Sequence, residues 1–127
     1  MHKLIALTPE LVKALNTAEL PSYAQQIVST KQAKLRDSID DCIWCFKVIQ
    51  SSTNIFEALE TIQGLDDDFI NQIIYKIKSK YDIYKLEKSD FLFVFNELAF
   101  QNVFKMRLEI DRIYFDFMDS IISTHAT

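Results

Sequence analysis

The chain has 127 residues, a formal net charge of −4 and an apolar fraction of 49%, with only one glycine and two prolines. β-Sandwiches and doubly wound folds need glycine and proline turns at short intervals, so this composition argues against both and favours an all-α fold. The net negative charge argues against direct nucleic-acid binding, which depends on Lys and Arg neutralising phosphates.

The N-terminal segment predicts a short helix over residues 9–17. The apolar run Leu4–Leu7, which follows His2, is too short for a signal peptide. Thr8 is a favourable N-cap residue and Pro9 suits the first helical position. The expected buried residues of this helix are Leu11, Val12 and Leu15.

A second helix is predicted over residues 22–50. It is separated from the first because Pro21 pushes Leu20 out of the α region. Apolar residues recur along it at helical spacing, which predicts one buried face. They are Ala24, Ile27, Val28, Leu35, Ile39, Cys42, Ile43, Phe46 and Ile49. Residues 29–34 are mostly polar, and we expect them to be solvated or to form a contact surface.

A short third helix is predicted over residues 55–63. Asn54 and Glu57 have the spacing of a capping box at its start. Gly64 follows its end, where a left-handed C-cap residue is common. The expected core residues are Ile55, Phe56, Leu59 and Ile62.

The fourth helix is predicted over residues 67–83. Asp66–Asp68 lies at its start, where carboxylates meet the positive end of the helix dipole. Its lysines lie in the C-terminal half, the favourable place for cations. The apolar face comprises Phe69, Ile70, Ile73, Ile74, Ile77 and Tyr81.

A long last helix is predicted over residues 89–122, which contain no glycine or proline and begin with a capping Ser89. One apolar stripe follows the helical period along its whole length. It comprises Leu92, Phe95, Ala99, Val103, Met106, Ile110, Ile113, Phe117 and Ile121. A second apolar set lies about 100° round the helix. It comprises Phe93, Phe100, Phe104, Leu108, Phe115, Met118 and Ile122.

The second apolar set leaves two alternatives open: the short helices cover it, or it is a self-association surface. A straight helix over these residues spans roughly 50 Å, whereas a compact domain of this size has a radius of gyration of about 14 Å. The helix is therefore kinked near Gln101, part of an elongated bundle, or extended into a partner.

These patterns predict an all-α fold with a single domain over residues 1–127. We expect a bundle of about five helices, in which the long helices over 22–50 and 89–122 pair. The three short helices, over 9–17, 55–63 and 67–83, are expected to cover one side of that pair.

Cys42 and Cys45 have the C-x-x-C spacing of redox motifs and zinc sites. They fall inside a predicted helix, after aspartates that raise a thiol pKa, so core packing is the favoured interpretation. A zinc site needs about four ligands, and His2 and His125 lie at opposite ends of the chain. Two cysteines do not make a disulfide framework and are typical of a reducing compartment, which predicts a cytoplasmic location.

No pattern in the sequence predicts catalysis. One glycine does not make a phosphate-binding loop, and Asp66–Asp68 lacks the alternating ligands of an EF-hand. No run of about 18 apolar residues predicts a membrane span. We therefore expect no catalytic residues, no cofactor and no metal in a protein that is not an enzyme and does not contact membranes.

The charge distribution carries the functional prediction. Residues 37–68 hold eight acidic residues and one base, Lys47, whereas residues 75–88 hold five lysines and two acids. A concentrated negative surface on a small protein steers association with a basic partner and selects against others. The expected partner-binding face comprises Asp37, Asp40, Asp41, Glu57, Glu60, Asp66, Asp67 and Asp68.

We therefore expect a non-catalytic protein–protein interaction protein. More specifically, we expect a small acidic inhibitor of the immunity or phage-encoded type, which covers a basic partner such as a toxin nuclease or a nucleic-acid-binding complex. The alternative is a structural or assembly module, a monomer or homodimer, that self-associates or docks through the apolar side of the last helix. The residues expected for that contact are Phe93, Phe100, Phe104, Leu108 and Phe115. No residue pattern indicates a known family.

Overall fold

A computed structural model of the chain describes residues 7–125, which form five α-helices and no strand. The all-α prediction is confirmed. The helices are α1 (Pro9–Thr17), α2 (Ser22–Ser51), α3 (Ile55–Gln63), α4 (Asp68–Lys80) and α5 (Lys88–His125). The interpretation of His2 and of residues 4–6 falls outside the described range.

Three of the predicted helix starts are set by side-chain caps. The Thr8 hydroxyl accepts from the backbone N–H of Leu11 at 3.2 Å, with Pro9 next to it. The side-chain Oδ1 of Asn54 accepts from the N–H of Glu57 at 3.0 Å. The Asp67 carboxylate accepts from two N–H groups of α4. These bonds satisfy donors that have no partner within the helix.

Gly64 does not adopt the predicted left-handed conformation. Its φ is −71° and its ψ is −14°, which any residue adopts. The Gly64 N–H donates to Thr61 and the Leu65 N–H donates to Ile62, so tight turn bonds satisfy the last carbonyls of α3. The prediction was wrong because α3 ends with Gly64 still in the right-handed helical region, so no residue with positive φ is needed there.

α4 ends at Lys80, three residues before the predicted end at 83. The reason is local, because the Asp82 carboxylate accepts from the N–H of Tyr84 at 3.1 Å. Such a bond offers the backbone an alternative to the helix.

α5 is unbroken through Gln101 and extends to His125, beyond the predicted end at residue 122. It also begins at Lys88, because the carbonyl of Glu87 already accepts from the N–H of Phe91. Ser89 therefore lies inside the helix and does not cap it. At 1.5 Å per residue α5 is about 57 Å long.

The core lies in two parts along α5. The larger part is where the C-terminal half of α2, α3, α4 and the N-terminal half of α5 meet. Its fully buried members include Cys45, Ile49, Ile62, Ile70, Ile73, Ile77, Phe91 and Phe95. The smaller part joins Val28 and Leu35 of α2 to Ile110 of α5. The buried cluster at the second half of α5 is thus smaller than that at the first.

The predicted stripe of α5 faces these cores, and each of its members is buried or half-buried. Phe91, which belonged to neither predicted set of α5, is fully buried. Five residues expected in the core are instead exposed. They are Val12, Ile27, Ile39, Ile43 and Phe56. Periodicity shows which face of a helix is apolar, but coverage of that face depends on neighbouring helices, and here these are too few.

Candidate protein-binding surfaces

An open groove of about 530 Å³ lies where α2, the start of α4 and α5 meet. We call it the acidic groove. It is lined by Lys31, Lys34, Asp37, Ser38, Asp41, Asp66, Asp67, Asp68, Phe69, Gln72, Met106 and Glu109. Six of these residues are carboxylates and two are lysines, so the lining carries a net formal charge of −4.

Local structure brings the aspartates of the groove together. Asp37 and Asp41 are one turn apart on α2 and therefore share a face. Asp67 is held by its cap, in which one carboxylate oxygen accepts from the N–H of Phe69 at 2.8 Å and from that of Ile70 at 3.2 Å. The packing of α2 against α4 then sets the two groups of carboxylates side by side.

The pKa of Asp41 is raised from 3.8 to about 6. The largest cause is a hydrogen bond in which the protonated Asp41 carboxyl donates to the Asp67 carboxylate. Partial burial and repulsion by Asp67, Asp37 and Asp40 act in the same direction. Below pH 6 the groove therefore holds a proton on Asp41.

No lysine or arginine of residues 7–125 forms an ion pair with the aspartates of the groove. The ion pairs of this part of the chain are Lys31–Glu109 and Arg107–Asp111, each at 3.3 Å. The Lys31–Glu109 pair spans α2 and α5 on the lysine-bearing side of the groove. The charge of the groove is thus unevenly distributed: lysines lie on one side, and aspartates without an ion-pair partner lie on the other.

Five of the eight acidic residues predicted for a binding face line this groove: Asp37, Asp41, Asp66, Asp67 and Asp68. Asp40 adds to the repulsion on Asp41 but is not part of the lining. Glu57 and Glu60 also do not line it. Glu57 instead accepts from the N–H of Thr53 at 3.2 Å at the start of α3.

Glu109 lines the groove although it was not among the predicted site residues. The sequence shows it only as one member of the polar side of α5. Because more than 40 positions of sequence separate it from Asp67, no local signal indicates that both carboxylates line the same groove.

The thiols of the C-x-x-C motif lie within α2 beside the groove. Cys42 is half-buried, Cys45 is buried, and both are free. Burial is the main cause that raises the pKa of each thiol to about 12, with a further contribution from the Asp41 and Asp67 carboxylates. Both thiols therefore stay protonated at neutral pH, and a protonated thiol is a weak nucleophile.

Residues 7–125 contain no group of three His, Cys, Asp or Glu side chains placed to hold a metal ion. His125 is exposed at the end of α5, with Nδ1 2.9 Å from the carbonyl oxygen of Ile121. None of the helices α1 to α5 combines the length and the apolarity required to cross a bilayer.

Six of the seven residues in the second apolar set of α5 are exposed to solvent, because the short helices leave them uncovered, and Ile122 is half-buried. The exposed fraction is 70% for Phe93, 71% for Phe100 and 65% for Phe115. α4 packs on a different side of α5, against Val94 and Leu98. The rings of Phe100 and Phe104 stack on this surface with centroids 6.4 Å apart and planes 11° apart.

Comparison with known protein families, curated proteins and solved structures finds no match for this chain. The functional argument therefore rests on the acidic groove and on the exposed side of α5.

Proposed function

We propose that this chain is a non-catalytic protein-binding protein of the inhibitor type, and that its acidic groove receives a basic segment of the partner. One observation carries the proposal. Five aspartates from α2 and the start of α4 line one open groove, and no lysine or arginine of residues 7–125 pairs with them.

A basic partner relieves the repulsion among these aspartates. Repulsion between like charges costs free energy, and it contributes to the raised pKa of Asp41 after the hydrogen bond to Asp67 and burial. A lysine or arginine from a partner supplies the missing positive charge and favours the ionised form of Asp41. Long-range attraction also increases the rate of association and selects against acidic partners.

The groove favours a protein partner over a nucleic acid, because phosphates are repelled by the same carboxylates. A basic cleft that binds nucleic acid, as in a toxin nuclease or a nucleic-acid-binding complex, has the complementary charge. A protein that covers such a cleft inhibits the nuclease or the complex without catalysing a reaction itself. Lys34, which lines the groove and forms no ion pair among residues 7–125, favours a partner segment with an acidic residue next to its basic ones.

The experiment measures binding to a panel of purified basic nucleases and to a lysine- and arginine-rich peptide by calorimetry at increasing salt. The test variants are Asp66→Lys and Asp68→Lys, which reverse exposed groove charges and spare the cap residue Asp67. Glu60→Lys is the matched control, since it makes the same charge change on an exposed residue outside the groove.

We expect affinity for the bound probe to fall with salt, and each groove variant to lose about tenfold in affinity, or 1.4 kcal/mol. The control is expected to retain most of the affinity. Binding that is insensitive to salt and to both groove variants contradicts the proposal, as does an equal loss in the control.

A further inference from the structure

The exposed side of α5 forms an apolar face that is interrupted by two acidic residues at the same helical angles, Glu97 and Asp111. Its members lie within about 80° of the helix circumference at 100° per residue, roughly opposite the buried Phe91 and Phe95. We call it the α5 apolar face. It comprises Phe93, Phe100, Phe104, Leu108, Phe115 and Met118, with exposed fractions from 42% to 71%.

The size of this face is that of a protein interface. Four phenylalanines and two smaller side chains at these exposures present about 600 Å² of apolar surface. Standard interfaces bury about 800 Å² on each partner, rim included. Apolar patches of this extent are at the upper end of those found on monomeric soluble proteins and are often functional.

We propose that the α5 apolar face is covered by the same face of a second copy of this chain, with the two α5 helices antiparallel. The charges in and beside the face argue for this occupant. Asp111 lies within the arc of the face and Arg107 lies about 20° outside its edge, with Arg107 Nε 3.3 Å from Asp111 Oδ1. A two-fold axis at the level of residue 109 places Arg107 of each copy opposite Asp111 of the other.

A parallel pair instead places Arg107 opposite Arg107 and Asp111 opposite Asp111, which is unfavourable. The antiparallel pair also aligns apolar side chains on both sides of the axis. Phe100 comes to the level of Met118 in the second copy, and Phe104 comes to the level of Tyr114, one residue before Phe115. The resulting contact is isologous and closes at two copies.

The charges also select the register. Moving the two-fold axis to the level of Phe104 brings Phe93 opposite Phe115, which is an apolar match. However, it also brings Asp111 opposite Glu97 of the second copy. Like charges directly opposed across an interface are costly, so the axis at residue 109 is favoured.

The first test is mass in solution, measured by sedimentation and light scattering from micromolar to near-millimolar protein. The expected mass is twice the 14.9 kDa of one chain. The double variant Phe100→Glu, Phe104→Glu is expected to be monomeric with unchanged helix content, since both rings are exposed. Tyr75→Glu is the matched control, because Tyr75 is 73% exposed on α4, and it is expected to remain dimeric.

The second test is orientation. Arg107→Glu is expected to weaken the dimer by about tenfold or more, because it opposes two acids across the axis, and adding Asp111→Arg is expected to restore it. In a parallel dimer the single change replaces one like-charge pair by another and has little effect. Under mild oxidation, Phe100→Cys mixed with Met118→Cys is expected to form a disulfide between the two variants. The wild type, oxidised in the same way, measures any disulfide formed by the native Cys42 and Cys45.

A monomer at every concentration overturns the proposal, and so does a dimer that survives the double glutamate variant. Disulfides formed by Phe100→Cys with itself overturn the antiparallel arrangement. The acidic groove is on other residues, so binding of basic partners by a monomer leaves the proposed function intact, and a dimer that binds none leaves this inference intact.

Discussion

Asp41→Asn is expected to stabilise the folded protein above pH 6. In the acidic groove the pKa of Asp41 is raised from 3.8 to about 6, first by its hydrogen bond to Asp67 and then by burial and by repulsion from the neighbouring aspartates. An asparagine at this position removes the repelled charge. It also keeps an N–H donor for the Asp67 carboxylate, as the protonated carboxyl does.

The sign follows from proton linkage. Between pH 4 and pH 6 the folded protein holds a proton on Asp41 that the unfolded chain has released. Stability from this group is therefore fully present below pH 3.8 and is lost as the pH rises through about 6. Two pKa units correspond to about 3 kcal/mol. Because the groove is open to water, screening reduces the expected effect to about 1 kcal/mol.

The assay is urea unfolding of the wild type and of Asp41→Asn at pH 3.5 and pH 7.5. We expect the free energies of unfolding to coincide at the lower pH and to differ by about 1 kcal/mol in favour of the variant at the higher pH. Added salt is expected to shrink the difference. Glu60→Gln, an exposed acid outside the groove, is the control and is expected to change stability by less than about 0.5 kcal/mol.

Two results refute the reasoning. One is an Asp41→Asn variant that is less stable than the wild type at pH 7.5. The other is a difference that is the same at both pH values, because repulsion among carboxylates disappears once they are protonated. The same variant is expected to bind a basic partner more weakly, so that the change raises stability and lowers the binding affinity.

Phe95→Ala empties a fully buried site and is expected to cost about 3–5 kcal/mol in urea unfolding. Tyr75→Ala, on the exposed side of α4, is expected to cost less than about 0.5 kcal/mol, and equal losses contradict the assigned core. Gly64→Ala is expected to add about 0.4–1 kcal/mol, because φ is −71° and a Cβ meets only the Thr61 oxygen at 3.4 Å; a lower thermal midpoint refutes it. Lys88→Met is expected to cost about 1–2 kcal/mol, because Lys88 Nζ donates to the carbonyls of Gln50 and Ser52 at 2.6 and 2.7 Å; unchanged unfolding refutes that role.

The helices were predictable because their signals are local. Scarce glycine and proline favour helices throughout the chain, and the caps at Thr8, Asn54 and Asp67 act on N–H groups two or three residues away. Even the end of α4, which was predicted three residues too late, has a local cause in Asp82. The unbroken path of α5 through Gln101 likewise needs only the absence of a helix breaker.

The choice between apolar faces was not predictable in the same way. The sequence of α5 offers two apolar sides, and both satisfy the helical period. Phe91 is fully buried and Phe93, two residues later, is 70% exposed. The difference depends on where α2, α3 and α4 pack, which no window of the α5 sequence contains.

The acidic groove shows the same division. The sequence by itself determined the all-α fold, the positions of the helices and the concentration of acids between residues 37 and 68. Only the tertiary structure decided that five aspartates share a groove with Glu109, while Glu57 and Glu60 lie elsewhere. Capping and helix periodicity act over a few residues of chain, whereas the distance between charges on different helices is set by how the helices pack.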